Sequence, residues 1–182
     1  HDQARALHVL GGTLNAAPEA MQKAKQRLLL ATLVQLSLPG SPTIYYGDEV
    51  GMTGGDDPYN RMPYPWPDQG GQPDMALRAD FKALLQLRKD NAILRRGVLS
   101  APLASTPTSA VLARHWGKDT VLIAFNNSAQ TQTHTFKVPS ALKGQQGKLW
   151  WGTGKVQTKG QDMTVTIEPL SGWLWGTASQ AK

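Results

Sequence analysis

Gly40-Ser41-Pro42-Thr43-Ile44-Tyr45-Tyr46-Gly47-Asp48-Glu49-Val50-Gly51-Met52 is the stretch on which the fold turns. Thr43–Tyr46 is β-branched and aromatic, the composition of a strand buried on both faces. Pro39-Gly40 and Pro42 mark its start and Gly47 its end. A helical run precedes it and another follows. Helix, buried strand, polar loop and helix together describe a piece of an α/β fold with parallel strands. In such folds ligands bind at the carboxyl ends of the strands, where Gly47-Asp48-Glu49 lies.

The run also resembles a signature of the α-amylase family, family 13 of the glycoside hydrolases. There it forms the eighth strand of a (β/α)8 barrel and the loop that leaves it. Two further stretches agree in order and spacing. His1-Asp2-Gln3-Ala4-Arg5 resembles the family's Asn-His-Asp motif at the end of the seventh strand, beginning one residue late. Asp57-Pro58-Tyr59-Asn60-Arg61-Met62-Pro63-Tyr64-Pro65-Trp66 resembles the Asp-Pro-x-x-Arg…Pro-x-x-Trp loop of neopullulanase, cyclomaltodextrinase and α-glucosidase-like members. The resemblance extends over essentially the whole chain. It implies the last part of a TIM barrel followed by a C-terminal antiparallel β-sandwich.

Outward from that stretch, Glu19 to about Leu38 reads as a helix, with Ala20, Ala24, Leu28, Ala31 and Leu38 at helical spacing. Pro18 suits its first turn and Pro39 stops it. Residues 1–18 read as a loop. Gly51–Pro73, rich in Gly, Pro and Asp, reads as a long loop, and loops of that length in compact domains are usually functional. Met75–Asn91 reads as a second helix, with Leu77, Phe81, Leu84, Leu85 and Arg88 in period and Asp74 as its N-cap. Beyond Val98 the pattern changes to short alternating runs. Expected strands are Ala110–Trp116, Thr120–Phe125, Thr131–Val138, Lys148–Trp151, Met163–Glu168 and Gly172–Trp175. Gly117-Lys118-Asp119, Asn126-Asn127-Ser128 and Gly144–Gly147 supply the turns, as in an antiparallel sandwich. The expected division is therefore a barrel segment, 1–97, and a sandwich domain, 98–182.

Composition excludes several classes. No apolar run reaches the roughly 18 residues that span a membrane. Leu28–Leu38 comes nearest and contains Gln35. The chain has no cysteine, so disulfides and thiolate metal sites are excluded. The net charge is +6 in 182 residues, but the basic residues are scattered and no basic stripe is interleaved with stacking aromatics. Nucleic acid is therefore not an expected partner. His8, His115 and His134 are too separated to form a ligand set. Gly54-Gly55-Asp56-Asp57 lacks the alternation of a calcium loop. No metal or cofactor is expected.

Asp48-Glu49 is an adjacent carboxylate pair. Retaining glycoside cleavage needs two carboxyl groups about 5–5.5 Å apart across the sugar. Neighbouring residues on an extended chain point in opposite directions, so this pair is expected to shape the loop instead. The resemblance places the nucleophile and the acid/base on the fourth and fifth strands, outside this chain. It implies that Asp2 is the third carboxylate, which steadies the oxocarbenium-like transition state, and that His1 hydrogen-bonds the same sugar. A negative charge beside developing positive charge is the electrostatic logic. Asp57 and Arg61 carry the groups that bind vicinal hydroxyls in pairs. Two readings of them stand open, contact with the non-reducing glucose, which the resemblance implies, and a loop-stabilising salt bridge. Tyr64 and Trp66 either stack on sugar or pack beneath the loop. Trp150, Trp151, Trp173 and Trp175 are expected to pack the sandwich core.

The chain is thus expected to be the C-terminal part of a longer polypeptide that hydrolyses α-glucosidic bonds in starch-like oligosaccharides. Its expected partners are an α-glucan oligosaccharide and the preceding part of the same polypeptide. The alternative reading is a non-catalytic, sugar-binding or partner subunit related to the family.

Overall fold

The computed structural model describes residues 2–177. Four helices come first: α1 (Ala6–Val9), α2 (Pro18–Ser37), α3 (Met75–Asp90) and α4 (Ala92–Arg96). Nine strands follow: β1 (Val98–Leu99), β2 (Ala104–Ser105), β3 (Ser109–Trp116), β4 (Asp119–Asn126), β5 (Gln132–Lys137), β6 (Lys148–Gly152), β7 (Gly154–Lys159), β8 (Asp162–Ile167) and β9 (Ser171–Gly176). No helix among the described residues is long and apolar enough to cross a membrane.

The chain divides into two compact units. One comprises residues up to Thr32 together with Pro42–Ala83, and the other comprises Leu33–Ser41 together with Leu84 onward. In the first unit Leu7, Ala24, Leu28, Leu77 and Phe81 form the core, with Leu10, Met21, Leu29 and Ile44 packed around them. The α2 pattern differs from the expected one. Ala24 and Leu28 are buried, but Ala20 and Ala31 face solvent, and Leu30, Leu33 and Leu36 are buried in addition. Asp74 caps α3 as expected, its Oδ1 accepting the Leu77 amide at 2.9 Å. Its Oδ2 takes the Lys25 ammonium at 2.7 Å. Burial alone would raise the Asp74 carboxyl; the Leu77 and Ala76 amides and Lys25 outweigh it and hold it below the usual range.

Two expectations fail here. Residues 1–18 are not all loop, because α1 forms within them. Thr43–Tyr46 has strand composition but joins no sheet ladder among the described residues. A strand is completed by its neighbour's backbone, and every ladder in this structure lies from Val98 onward.

The second unit is an antiparallel sandwich. One sheet runs β1-β3-β4-β9-β6, with β2 also paired to β3, and the other runs β5-β8-β7. Between them lie Val111, Ala113, Leu122, Ala124, Met163, Val165, Ile167 and Trp173. Their alternation along β3, β4 and β8 is the period of two that sequence showed. Of the four tryptophans expected in the core, Trp173 is fully buried and Trp175 packs against the cluster in part. Trp150 and Trp151 are half-buried. Leu33–Ser41 belongs to this unit through two buried arginines. Arg88 donates to the Leu36, Leu38, Gly40 and Leu94 carbonyls, and Arg114 to those of Ser37, Leu94 and Gly97.

Candidate functional site

Gly47 ends the Thr43–Tyr46 segment in a left-handed turn, φ 85°. A Cβ at this position would lie 2.1 Å from Met52 Sδ, so the turn needs glycine for both space and conformation. The turn sends Asp48 and Glu49 to different partners. Asp48 Oδ1 meets Arg5 Nη1 at 3.3 Å, and Glu49 Oε2 accepts the Gly47 amide at 2.8 Å. Both carboxylates are therefore engaged in shaping the loop.

Arg5 is the residue that sequence reasoning missed. Its side chain is completely buried. Its Nη1 donates to the Tyr46 carbonyl at 2.8 Å. Its guanidinium carbon lies 4.5 and 4.6 Å from the Tyr45 and Tyr46 ring centroids. A desolvated guanidinium against two aromatic faces is a favourable placement. Burial pushes the Asp48 carboxyl above its usual range, and Arg5 opposes that push without cancelling it. The Tyr45 hydroxyl is likewise raised, by desolvation first and then by Tyr46. The only sequence signal for Arg5 was its position three residues after Asp2.

The same two tyrosines fasten the long loop. The Tyr45 hydroxyl donates to the Asn60 carbonyl at 3.4 Å, and the Tyr46 hydroxyl to that of Met62 at 2.8 Å. Asn60 Nδ2 donates to the Gln3 carbonyl at 3.2 Å, and the Arg5 amide to that of Gly54 at 2.9 Å. The turn Tyr59–Arg61 is thereby held beside the start of the chain.

That arrangement brings Asp2, Asp57 and Arg61 together. Arg61 Nε lies 3.1 Å from Asp57 Oδ1, and Arg61 Nη2 lies 3.4 Å from Asp2 Oδ1. All three side chains are about half exposed or more, at 73%, 66% and 48% respectively. His1 lies outside the described residues. Tyr64 and Trp66 pair with centroids 4.5 Å apart at 46°, and Trp66 is 53% exposed. Chemically, a guanidinium between two solvent-facing carboxylates presents donors and acceptors of the kind that hydroxyl groups pair with, and an indole lies on the same loop.

A family model described as the alpha amylase catalytic domain matches residues 1–71. An amylopullulanase of Thermoanaerobacter thermohydrosulfuricus is 40% identical over 127 residues, which are 66% of this chain and 8% of that protein. Neopullulanase 2 of Thermoactinomyces vulgaris is 33% identical over 180 residues, 96% of this chain and 28% of that one. Among solved structures, a debranching enzyme from Nostoc punctiforme is similar with a TM-score of 0.78 and 29% identity. The match covers 97% of this chain and 34% of that one. The chain thus spans between 8% and 28% of the length of these curated relatives.

Proposed function

The chain belongs to the α-amylase family, and on that premise we propose that it forms part of a glycoside hydrolase cleaving α-glucosidic bonds of starch-like oligosaccharides with retention of configuration. Residues 1–97 are the end of its catalytic (β/α)8 barrel, and residues 98–182 are the C-terminal sandwich domain. The observation that carries the reading is the convergence of Asp2, Asp57 and Arg61, at 3.4 and 3.1 Å, on exposed chain beside the Tyr45-Tyr46 segment.

Each group has a role in this reading. Asp2 stands beside the sugar as it gains oxocarbenium character, and its charge stabilises that state more than the ground state. Asp57 accepts from vicinal hydroxyls of the non-reducing glucose and Arg61 donates to them, while the Arg61–Asp57 contact keeps both in place. His1 hydrogen-bonds the same ring. The bond-making carboxyls are not Asp48 and Glu49, which are committed to Arg5 and the Gly47 amide. They come from the part of the protein that the longer relatives have and this chain does not span. By itself the chain is inactive on α-glucans.

The test is Asp2→Asn in the full-length parent, assayed on maltooligosaccharides. Loss of an electrostatic partner of the transition state lowers kcat by about 10² or more, with KM little changed. A variant with near-normal kcat overturns the assignment.

A further inference from the structure

Asp2 and Arg61 meet although they are far apart in sequence, and one pair of side chains joins the segments that carry them. Asp2 lies shortly before Arg5, and Arg61 lies next to Met62. Arg5 and Tyr46 connect those two points. At one end Arg5 Nη1 donates to the Tyr46 carbonyl at 2.8 Å, and the guanidinium carbon lies 4.6 Å from the centre of the Tyr46 ring. At the other end the Tyr46 hydroxyl donates to the Met62 carbonyl at 2.8 Å. The route from Asp2 through Arg5, Tyr46 and Met62 to Arg61 closes at the 3.4 Å contact between Arg61 Nη2 and Asp2 Oδ1.

That contact does not fix its own geometry. The Arg61 and Asp2 side chains are solvent-facing, so their attraction is screened and weak. Their separation is imposed from beneath, where Arg5 is completely buried. The backbone repeats the tie, because the Arg5 amide donates to the Gly54 carbonyl at 2.9 Å.

Stability does not account for an arginine at this position. Its Nε and Nη2 are buried and donate to no group among the described residues. Its contact with Asp48 Oδ1 is long, at 3.3 Å. Taking a guanidinium out of water is costly, and donors left unmade add to the cost. A methionine would pack against the same rings without either cost. What only a guanidinium supplies here is direction: a planar group that bonds the Tyr46 carbonyl while lying over the ring of the same residue.

We infer that Arg5 and Tyr46 are positioning residues, a brace that sets where Asp2 stands relative to Arg61 and acts through Asp2 rather than on the sugar. Its consequence for catalysis rests on the function proposed above; the brace itself rests on the contacts.

The test is a double-mutant cycle in the full-length parent on maltooligosaccharides, joined to a spectroscopic readout in the full chain. Arg5→Met lowers kcat about tenfold to hundredfold and Tyr46→Phe about threefold or more, with KM little changed, because a misplaced group costs rate and not ground-state binding. In the Asp2→Asn background the same substitutions lower kcat less than about twofold, since the group they position is gone. Near-normal kcat in Tyr46→Phe, or in a folded Arg5→Met, overturns the brace. So does a loss that multiplies in full with that of Asp2→Asn, which is what a general loss of structure gives. If Arg5→Met does not fold, Tyr46→Phe decides, because it keeps guanidinium and ring and removes only the hydroxyl. Normal kcat in Asp2→Asn alone refutes the hydrolase reading and leaves the brace to the second readout. In the ¹⁵N-labelled full chain, Asp2→Asn and Tyr46→Phe both move the Arg61 guanidinium resonance. An Arg61 resonance unmoved by Tyr46→Phe overturns the brace whatever the parent's activity.

Discussion

Replacing Arg114 by methionine removes one of the two buried cations that hold Leu33–Ser41 and the α4 end against the sandwich. Arg114 is 1% exposed, and its donors go to carbonyls rather than to a carboxylate among the described residues. Nε and Nη2 reach Gly97 O at 3.1 and 2.6 Å, and Nη1 reaches Ser37 O at 2.8 Å and Leu94 O at 2.7 Å. Arg88 Nη1 also holds Leu94 O, at 2.5 Å, so that carbonyl keeps a donor in the variant. The Gly97 and Ser37 carbonyls lose theirs. A buried acceptor left unpaired costs about 1–3 kcal/mol, so two cost about 2–6 kcal/mol. Part is returned, because burial disfavours the charge on Arg114 and the neighbouring Arg88 disfavours it further. The expected net loss is about 3 kcal/mol, a large share of the roughly 5–15 kcal/mol that stabilises a domain. Urea unfolding of the full chain, followed by tryptophan fluorescence, measures it as a lower midpoint at unchanged slope. Arg114→Lys recovers less than half, since a single ammonium cannot span acceptors that a planar fork reaches together. A loss below ~1 kcal/mol for Arg114→Met, or full recovery by lysine, refutes the reasoning.

Three further outcomes are expected. Asp74→Ala loses the cap and the Lys25 pair and costs about 1–2 kcal/mol, whereas Asp74→Asn keeps the cap and costs less. The folded Asp74 carboxyl titrates below its unfolded value, so its contribution is complete above about pH 3.9 and is lost as pH falls through the folded value; a wild-type advantage over Asp74→Asn that persists in strong acid contradicts this. Burial lowers the His134 imidazole, which sits 2.8 Å from the Ser109 hydroxyl. Its contribution is complete above about pH 6.5 and is lost as pH falls through the lowered folded value, so the urea midpoint drops between about pH 7 and pH 5 and does so less in His134→Gln; equal slopes in both proteins would remove His134 as the cause. In the full-length parent, Arg61→Ala raises KM for maltooligosaccharides more than it lowers kcat, and an unchanged KM takes Arg61 out of the sugar site.

What the sequence determined by itself was whatever depends on near neighbours along the chain. Leu77, Phe81, Leu84 and Arg88 at helical spacing are the buried stripe of α3, whereas Leu85, read in the same period, is 42% exposed. Alternation identified β3, β4 and β8, because a period of two is fixed by the pleat itself. It missed β7, Gly154–Lys159, whose one aliphatic residue, Val156, is half-buried on an edge strand paired to β8 alone. Asp74 was legible because a cap acts over three residues.

Tertiary structure decided whatever depends on residues distant in sequence. Thr43–Tyr46 has the composition of a strand, but a ladder requires a second backbone, which composition cannot supply. Arg5 and Arg114 are cations that a sequence reading assigns to solvent, and Arg88, in period on α3, gave no sign of the carbonyls that hold it. Their burial follows from carbonyls and aromatic rings up to 77 residues away, whose positions only the folded chain sets. Asp57 and Arg61 are four residues apart and were read together. That Asp2 stands with them, 59 residues from Arg61, follows from two tyrosine hydroxyls and one asparagine that fasten the loop beside the start of the chain. Local sequence fixes the directions of side chains along one element. Distances between elements are fixed by packing, because burial rewards many arrangements of apolar surface while hydrogen bonds between specific distant groups select one.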